Sequence, residues 1–384
     1  MIGRRALVIG LVAMPGIAAA QDTSMAGMPG MAGMAGMGHM TMNQAPLGIP
    51  DSRVGAGTSW LPDNTTMRAI HVQAGGWGLM AHYLAFGQYD EQFGRRGGVQ
   101  WGGVNWGMLM ATHALAGGQL SLRGMLSLDA ATVTPAGYPL LLQSGEAYNG
   151  QPLHDRQHPH DLIMEAAAIY DHAVTQDLAV QLYVAPVGDP ALGPVAYPHR
   201  PSAEADPFAP LAHHWEDATH VSFGVATVGV YTRAVKVEGS IFNGRDPDQY
   251  RYSVDYGGHA PTLDSYSGRV TVNPAPAWSL SGSYGYLRSP EQLEPKLDQH
   301  RATGSVLYGD GPVAAALIWG ANFQSNHTSN GVTAEATVQV GARNTVFGRA
   351  EYVNKSAQDL DIPGVRADQW YDVEGLVAGY LRTV

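Results

Sequence analysis

Strict two-residue alternation of apolar and polar side chains recurs along most of this chain, and every second gap between the alternating runs is only a few residues long. Leu120, Leu122, Leu126 and Leu128 alternate with Ser121, Arg123 and Ser127. Val235, Val237 and Ile241 alternate with Lys236, Glu238 and Ser240. Val332, Ala334, Ala336 and Val338 alternate with Thr333, Glu335, Thr337 and Gln339. Such a period places one set on each face of a strand. The runs predict about fourteen strands, near 69–87, 99–113, 119–130, 161–173, 178–186, 219–231, 235–243, 264–273, 277–287, 298–309, 312–323, 331–341, 344–354 and 369–381. Short connections such as 116–118, 232–234, 274–276 and 342–343 take turns with long ones at 131–160, 187–218, 244–263, 288–297 and 355–368. A soluble sandwich also alternates, but it has no reason to keep this asymmetry through six successive hairpins. Outer-membrane barrels do, with short periplasmic turns and long outer loops.

The expected fold is therefore all-β, a transmembrane antiparallel β-barrel over residues 68–384. Lipid cannot hydrogen-bond a free backbone, so a spanning sheet is expected to close on itself, with an even strand number. Val, Leu, Ala and Gly would face lipid. Arg123, Lys236, Glu238, Arg269, Glu335, Arg349 and Glu351 would face the lumen. Trp60, Trp77, Trp101, Trp106, Trp278 and Trp319 would supply interfacial girdles. The chain ends Leu381-Arg382-Thr383-Val384, without the aromatic terminal residue usual in such barrels. Further strand sequence is expected on that ground, with up to about sixteen strands in a longer protein.

The first twenty residues read as a secretory signal. Arg4 and Arg5 are its basic region, Ala6 to Pro15 its apolar stretch, and Ala18-Ala19-Ala20 the small residues before a cut at Gln21. No later apolar run is long enough for a spanning helix. The expected location is the outer membrane of a Gram-negative bacterium, with its lipid as the first partner. The net charge of −11 makes nucleic acid a poor partner. Cys is absent, which excludes disulfides and thiolate metal sites.

Residues 21–67 read as a flexible, disordered Met-rich periplasmic arm and linker. Its core, MAGMPGMAGMAGMGHMTM, places Met25, Met28, Met31, Met34, Met37, Met40 and Met42 in near-triplet spacing around His39. Thioether sulfur is a soft neutral ligand that suits Cu(I), and Ag(I) for the same reason. Met-x-x-Met spacing lets a flexible chain wrap several sulfurs round one ion. The alternative is a solvated spacer whose methionines do nothing or absorb oxidants.

Two further clusters fall in the long loops. His154, Asp155, His158, His160 and Asp161 lie within eight residues, and His213, His214, Glu216, Asp217 and His220 form a second group, with His199 between them. Pro159 holds His158 away from helical geometry. His154, His158, His160, His199, His213, His214 and His220 would form a weaker site for Cu(II) or Zn. The competing reading is a loop plug in which these groups bond one another and Arg156, Arg200 and Arg245. Gly244 to Asp248 reads as a turn, whose carboxylates also suit Ca²⁺. Esterase-elbow, P-loop and zincin signatures are missing, so no enzyme is predicted.

The Met-rich arm ahead of a barrel resembles copper-resistance outer-membrane proteins of the CopB/PcoB type. Separately, GIPDSRVGAGTSWLPDNTTM, LHDRQHPHDLIMEAAAIY, HRPSAEADPFAPLAHHWEDATH and EGSIFNGRDPDQYR resemble a group of Gram-negative outer-membrane proteins without an assigned activity. That second resemblance implies a folded loop core built around these His and Asp residues, and it implies no reaction. Together the readings predict a barrel for copper or silver binding, resistance or efflux, supplied by a periplasmic metal carrier. The alternative is a porin-like channel for small polar solutes in which the His/Asp loops only shape the constriction.

Overall fold

The structure, a computed structural model, describes residues 45–256, 260–325 and 327–383. Fifteen strands form one antiparallel sheet in which each strand pairs only with its neighbours along the chain. They are β1 (Ile70–Ala74), β2 (Trp77–Ala85), β3 (Asn105–Leu115), β4 (Gly118–Leu126), β5 (Ile163–Ala173), β6 (Ala179–Gly188), β7 (Ser222–Tyr231) and β8 (Val235–Phe242). The meander continues with β9 (Ser265–Ala275), β10 (Trp278–Leu287), β11 (Gln299–Asp310), β12 (Val313–Gln324), β13 (His327–Val340), β14 (Asn344–Ser356) and β15 (Trp370–Arg382). Six shorter strands form three two-stranded ladders within the long loops, for a total of 21 among the described residues.

The sheet is inverted relative to a soluble protein. Along β8 exposed and buried residues alternate for its whole length, with Val235, Val237 and Ile241 outward and Lys236, Glu238 and Ser240 inward. Leu109 on β3 is 68% exposed and Leu376 on β15 is 79% exposed. Arg123, Lys236, Glu238, Arg269, Glu335, Arg349 and Glu351 are all buried, as the alternation predicts. Water gives no reason for that distribution, whereas hydrocarbon outside and polar groups inside do.

Three expectations need correction. The run 69–87 is not one strand. Gly75 and Gly76 take φ of 58° and 82°, where only glycine sits without strain, and the chain reverses there into the β1–β2 hairpin. The sheet thus has fifteen strands rather than fourteen. With fifteen antiparallel strands β1 and β15 run in the same direction, and no ladder joins these two edges among the described residues. Closure of the sheet is therefore not seen. The third correction concerns residues 45–67, expected as linker. They lie inside the sheet, with Arg53, Thr58, Trp60 and Leu61 buried. Trp60 belongs to no girdle: its ring lies 4.7 Å from the Arg53 guanidinium and 5.4 Å from Lys236 Nζ. Trp106 is likewise buried.

Two segments fill the interior, 45–67 and the loop 189–221. They satisfy the charged wall mainly through their own backbone. Arg123 pairs with Glu165 at 2.6 Å and donates to the carbonyls of Gly55 and Gly57. Lys236 donates to the Thr58 carbonyl at 2.5 Å and pairs with Glu238 at 3.0 Å. Arg269 donates to Glu238 at 3.1 Å and to the Gly193 carbonyl at 3.2 Å. Arg349 donates to the carbonyls of Phe208 and Ala209, and the Leu211 amide donates to Glu351 at 2.5 Å. Apolar side chains of the loop, Phe208, Leu211 and Trp215, pack with Val353 and Val373 of β14 and β15.

Candidate functional site

The long-loop end of the sheet gathers a buried cluster of imidazoles and carboxylates. Its scaffold is the segment 213–220. His213–Glu216 makes one helical turn, which brings Asp217 under His213. His213 Nδ1 donates to Asp217 Oδ1 at 2.6 Å. The next tight turn, Ala218–His220, lets His220 Nδ1 donate to the Asp217 carbonyl at 2.8 Å. Oδ2 of Asp217 receives Arg200 Nη1 at 2.7 Å and the Tyr197 amide at 2.8 Å. Arg200 in turn donates to Glu335 of β13 at 2.7 Å, which ties the loop to the wall. Burial opposes ionisation of Asp217, but Arg200 and His213 outweigh it and hold its carboxyl well below the ordinary range.

The loop 127–162 supplies the facing half. Pro159 keeps the chain extended, and His158 and His160 border the same small cavity as His213 and His220. His160 Nδ1 donates to Asp129 at 2.8 Å, and Tyr197 Oη lies 3.2 Å from its Nε2. His158 Nδ1 donates to the Pro159 carbonyl at 2.8 Å, and its Nε2 lies 2.6 Å from Glu146 Oε1. Ring centroids are 5.2 Å apart for His213 and His220 and 5.5 Å for His160 and His220. An Nδ1 that donates to oxygen leaves Nε2 of a neutral ring as the free base. For His220 that atom is buried without a hydrogen-bond partner among the described residues. Burial, followed by neighbouring imidazoles and cations, pushes His158, His214 and His220 well below the ordinary histidine value.

Carboxylates around this core move the other way. Burial pushes Glu146 up to about 7 and, against Arg251, Asp161 up to about 7. Burial and then the nearby Glu146 push Asp246 up to about 8. A cavity of about 380 Å³ opens above them. Glu146, Asp246, Glu291, Glu294, Asp359 and Asp368 line it, and no Lys or Arg does so among the described residues. It shares Glu146 and Asp246 with the small His-lined cavity of about 10 Å³. That one shares His160 with a cavity of about 30 Å³ beside Asp129 and Trp106. The third shares Glu204 with a cavity of about 70 Å³ at the short turn Asp310–Pro312. Separate cavities with shared lining residues thus lie between the long-loop end and the short-turn end.

No family model and no curated protein matches the sequence. Among solved structures the chain is similar to a porin, at 9% identity and a TM-score of 0.35, over 79% of this chain and 100% of that one. It is also similar to the outer membrane channel DcaP of Acinetobacter baumannii, at 8% identity and a TM-score of 0.37, over 79% of this chain and 97% of that one. The protein resides in the outer membrane. The physical ground for this is the inverted sheet, with apolar side chains outward and ion pairs inward, because strands can cross a bilayer only in that arrangement. Among the described residues no helix is long and apolar enough to cross one.

The predicted site residues divide into three groups. Met25, Met28, Met31, Met34, Met37, His39, Met40 and Met42 lie outside the described residues. His158, His160, His213, His214 and His220 come together. His154 and His199 stand apart: His154 Nδ1 donates to the Asp359 carbonyl at 3.0 Å, and His199 packs on Trp106 with Nε2 3.0 Å from Met125 Sδ. Arg200 does enter the His/Asp network as the plug reading expected, whereas Arg156 bonds Gln100 and Arg245 pairs with Asp264. Glu146, Glu291, Asp129 and Tyr197 escaped the sequence reading. No local spacing marks them, because each meets the histidines only through the fold.

Proposed function

We propose that this protein is a porin-like outer-membrane channel for small cations, narrowed by loops 127–162 and 189–221 and by segment 45–67. The observation that carries the reading is the acid-lined vestibule at the long-loop end, with smaller cavities below it that share its lining residues. Carboxylates on the lining of a pore mouth concentrate cations and repel anions; Arg366, which pairs with Asp368 at 2.6 Å, offsets part of that charge. The small cavity beneath the vestibule, about 10 Å³, holds about one water. A channel filled to that degree would pass water and small ions rather than sugars or amino acids. Reconstitution of the mature protein in a planar bilayer under a KCl gradient tests this. The expected result is a small conductance whose reversal potential lies toward the K⁺ equilibrium value. Absence of current, or reversal toward the Cl⁻ value, refutes it.

A second reading concerns the arm. Capture of Cu(I) or Ag(I) by Met25 to Met42 and His39, with delivery by a periplasmic carrier, is supported by thioether softness and spacing, the feature that resembles CopB/PcoB-type proteins. Cu(I) retention against a soft chelator, with and without residues 21–45, tests it. Equal retention by the two forms removes it.

A further inference from the structure

Side chains from separate long loops converge on the floor of the vestibule. His214 from loop 189–221, Asp246 from loop 243–264 and Glu291 from loop 288–298 each bring one ligand atom to within 4.8 Å of the others. Glu146, from loop 127–162, places Oε1 3.4 Å from His214 Nε2. His214 is 4% exposed, and neither ring nitrogen has a hydrogen-bond partner among the described residues. Buried polar atoms are normally satisfied, so an imidazole left this way points to a missing ligand.

The position of this ring is built into the backbone. Gly145 holds a φ of 107°, and a Cβ there would lie 2.7 Å from Cγ and Cδ2 of His214. Asn322 of β12 donates to the His214 carbonyl at 3.0 Å and holds the residue from the other side. Asp246 Oδ2 lies 4.0 Å from His214 Nδ1. A divalent cation held between the ring and these carboxylates would satisfy them in one step.

We propose that His214, Asp246 and Glu291, with Glu146 beside them, form a binding site for one divalent first-row transition ion. One imidazole nitrogen with two or three carboxylate oxygens is a borderline donor set that suits Zn²⁺. Ca²⁺ takes six to eight oxygens and Mg²⁺ keeps most of its water, so both are poorer matches. Ligand atoms now within 4.8 Å must close to about 3.4 Å for tetrahedral bonds of about 2.1 Å. His214 is held in place, and rotation of the Asp246, Glu291 and Glu146 side chains about it would cover that distance. The acid-lined cavity supplies the entry path. The site stands whether or not the protein conducts.

Calorimetric titration of ZnCl₂ into the full mature protein in detergent tests the proposal, with H214A and E291Q carried in parallel. The arm is common to all three and cancels. The expected result is one saturable Zn²⁺ site lost or weakened at least tenfold in both variants, with unchanged far-UV circular dichroism. Three results overturn it: no saturable Zn²⁺ binding, Zn²⁺ affinity within twofold of the parent in E291Q, or Ca²⁺ binding of equal strength that H214A leaves intact. Should H214A misfold, E291Q, whose side chain is only half-buried, decides alone. Binding is read at equilibrium, so its failure is distinct from absence of current in a bilayer.

Discussion

Asp217 lies one helical turn after His213 and receives its Nδ1 proton at 2.6 Å, while Arg200 holds the other carboxylate oxygen at 2.7 Å. This one carboxylate therefore orients the imidazole cluster and anchors the loop plug through Arg200 to Glu335 on β13. D217N leaves the fully buried Arg200 with one ionised partner in place of two. Breaking a buried pair from one side costs about 3–5 kcal/mol. Urea unfolding in detergent should show a loss of that order. The folded carboxyl titrates below its unfolded value of about 3.9. Its stabilising contribution is complete above that value and disappears as pH falls below it, a decline that D217N should lack.

A different pH dependence belongs to the groups around it. Glu146 and Asp161 are raised to about 7 and Asp246 to about 8. Between pH 8 and 6.5 the folded protein takes up protons that the unfolded chain does not, so stability rises as pH falls, by up to about 1.4 kcal/mol per pH unit per proton. Below about 6.5 the opposite force begins, because unfolded histidines bind protons that the depressed His158, His214 and His220 refuse. Melting temperature in EDTA should therefore climb from pH 8 to 6.5 and flatten or fall below it. A flat profile from 8 to 6.5 contradicts the burial of these carboxyls. D246N should reduce the climb.

How much of this was readable from residues depends on which physics marks them. β8 was plain, because lipid outside and ion pairs inside impose a period of two on Val235 to Phe242. The β1–β2 hairpin is hard to read because its turn is only Gly75-Gly76, and the apolar set merely shifts by one position, from Val72 and Ala74 to Trp77 and Leu79. Segment 45–67 reads as linker from its residues for a related reason. Pro50, Gly55, Gly57 and Pro62 look like punctuation, yet the fit to Arg123 and Lys236 uses backbone carbonyls, which leave no pattern in side chains. His158, His160, His213 and His220 stood out as local clusters. Glu146 and Glu291 did not, since loop packing alone brings residues so far apart in sequence to one point.

Charge at the vestibule should set selectivity. Glu294 and Asp368 line it without belonging to the buried histidine network. E294Q with D368N removes two of its negative charges, and D368N also frees Arg366, which pairs with Asp368 at 2.6 Å, so the K⁺ over Cl⁻ permeability ratio should fall about two- to threefold, as expected for charges that act through a local field. E294K should lower it further. Reversal potentials under a KCl gradient measure both, and a ratio indifferent to either change would detach selectivity from this cavity.

The two interior segments touch at Gly57, and this contact decides how tightly the lumen is filled. Gly57 has a φ of 55°, and a Cβ placed on it would lie 2.6 Å from the Asp189 carbonyl oxygen and 2.8 Å from Asp189 Cβ. Its own carbonyl accepts from Arg123, and the next residue, Thr58, bonds Glu238 and Lys236. G57A therefore combines a left-handed conformation that alanine disfavours with a backbone clash that no rotamer relieves. The conformational part alone costs about 1–3 kcal/mol. The cheapest escape is separation of segment 45–67 from loop 189–221, because the sheet itself is held by its own ladders. Outer strands should then keep their circular dichroism while the interior loosens. In a planar bilayer G57A should conduct more than the parent and with weaker cation preference, since a loosened interior no longer confines ions to the small space bordered by His158, His160, His213 and His220. Unchanged conductance with a lowered melting temperature would mean that the filling of the lumen does not limit the current.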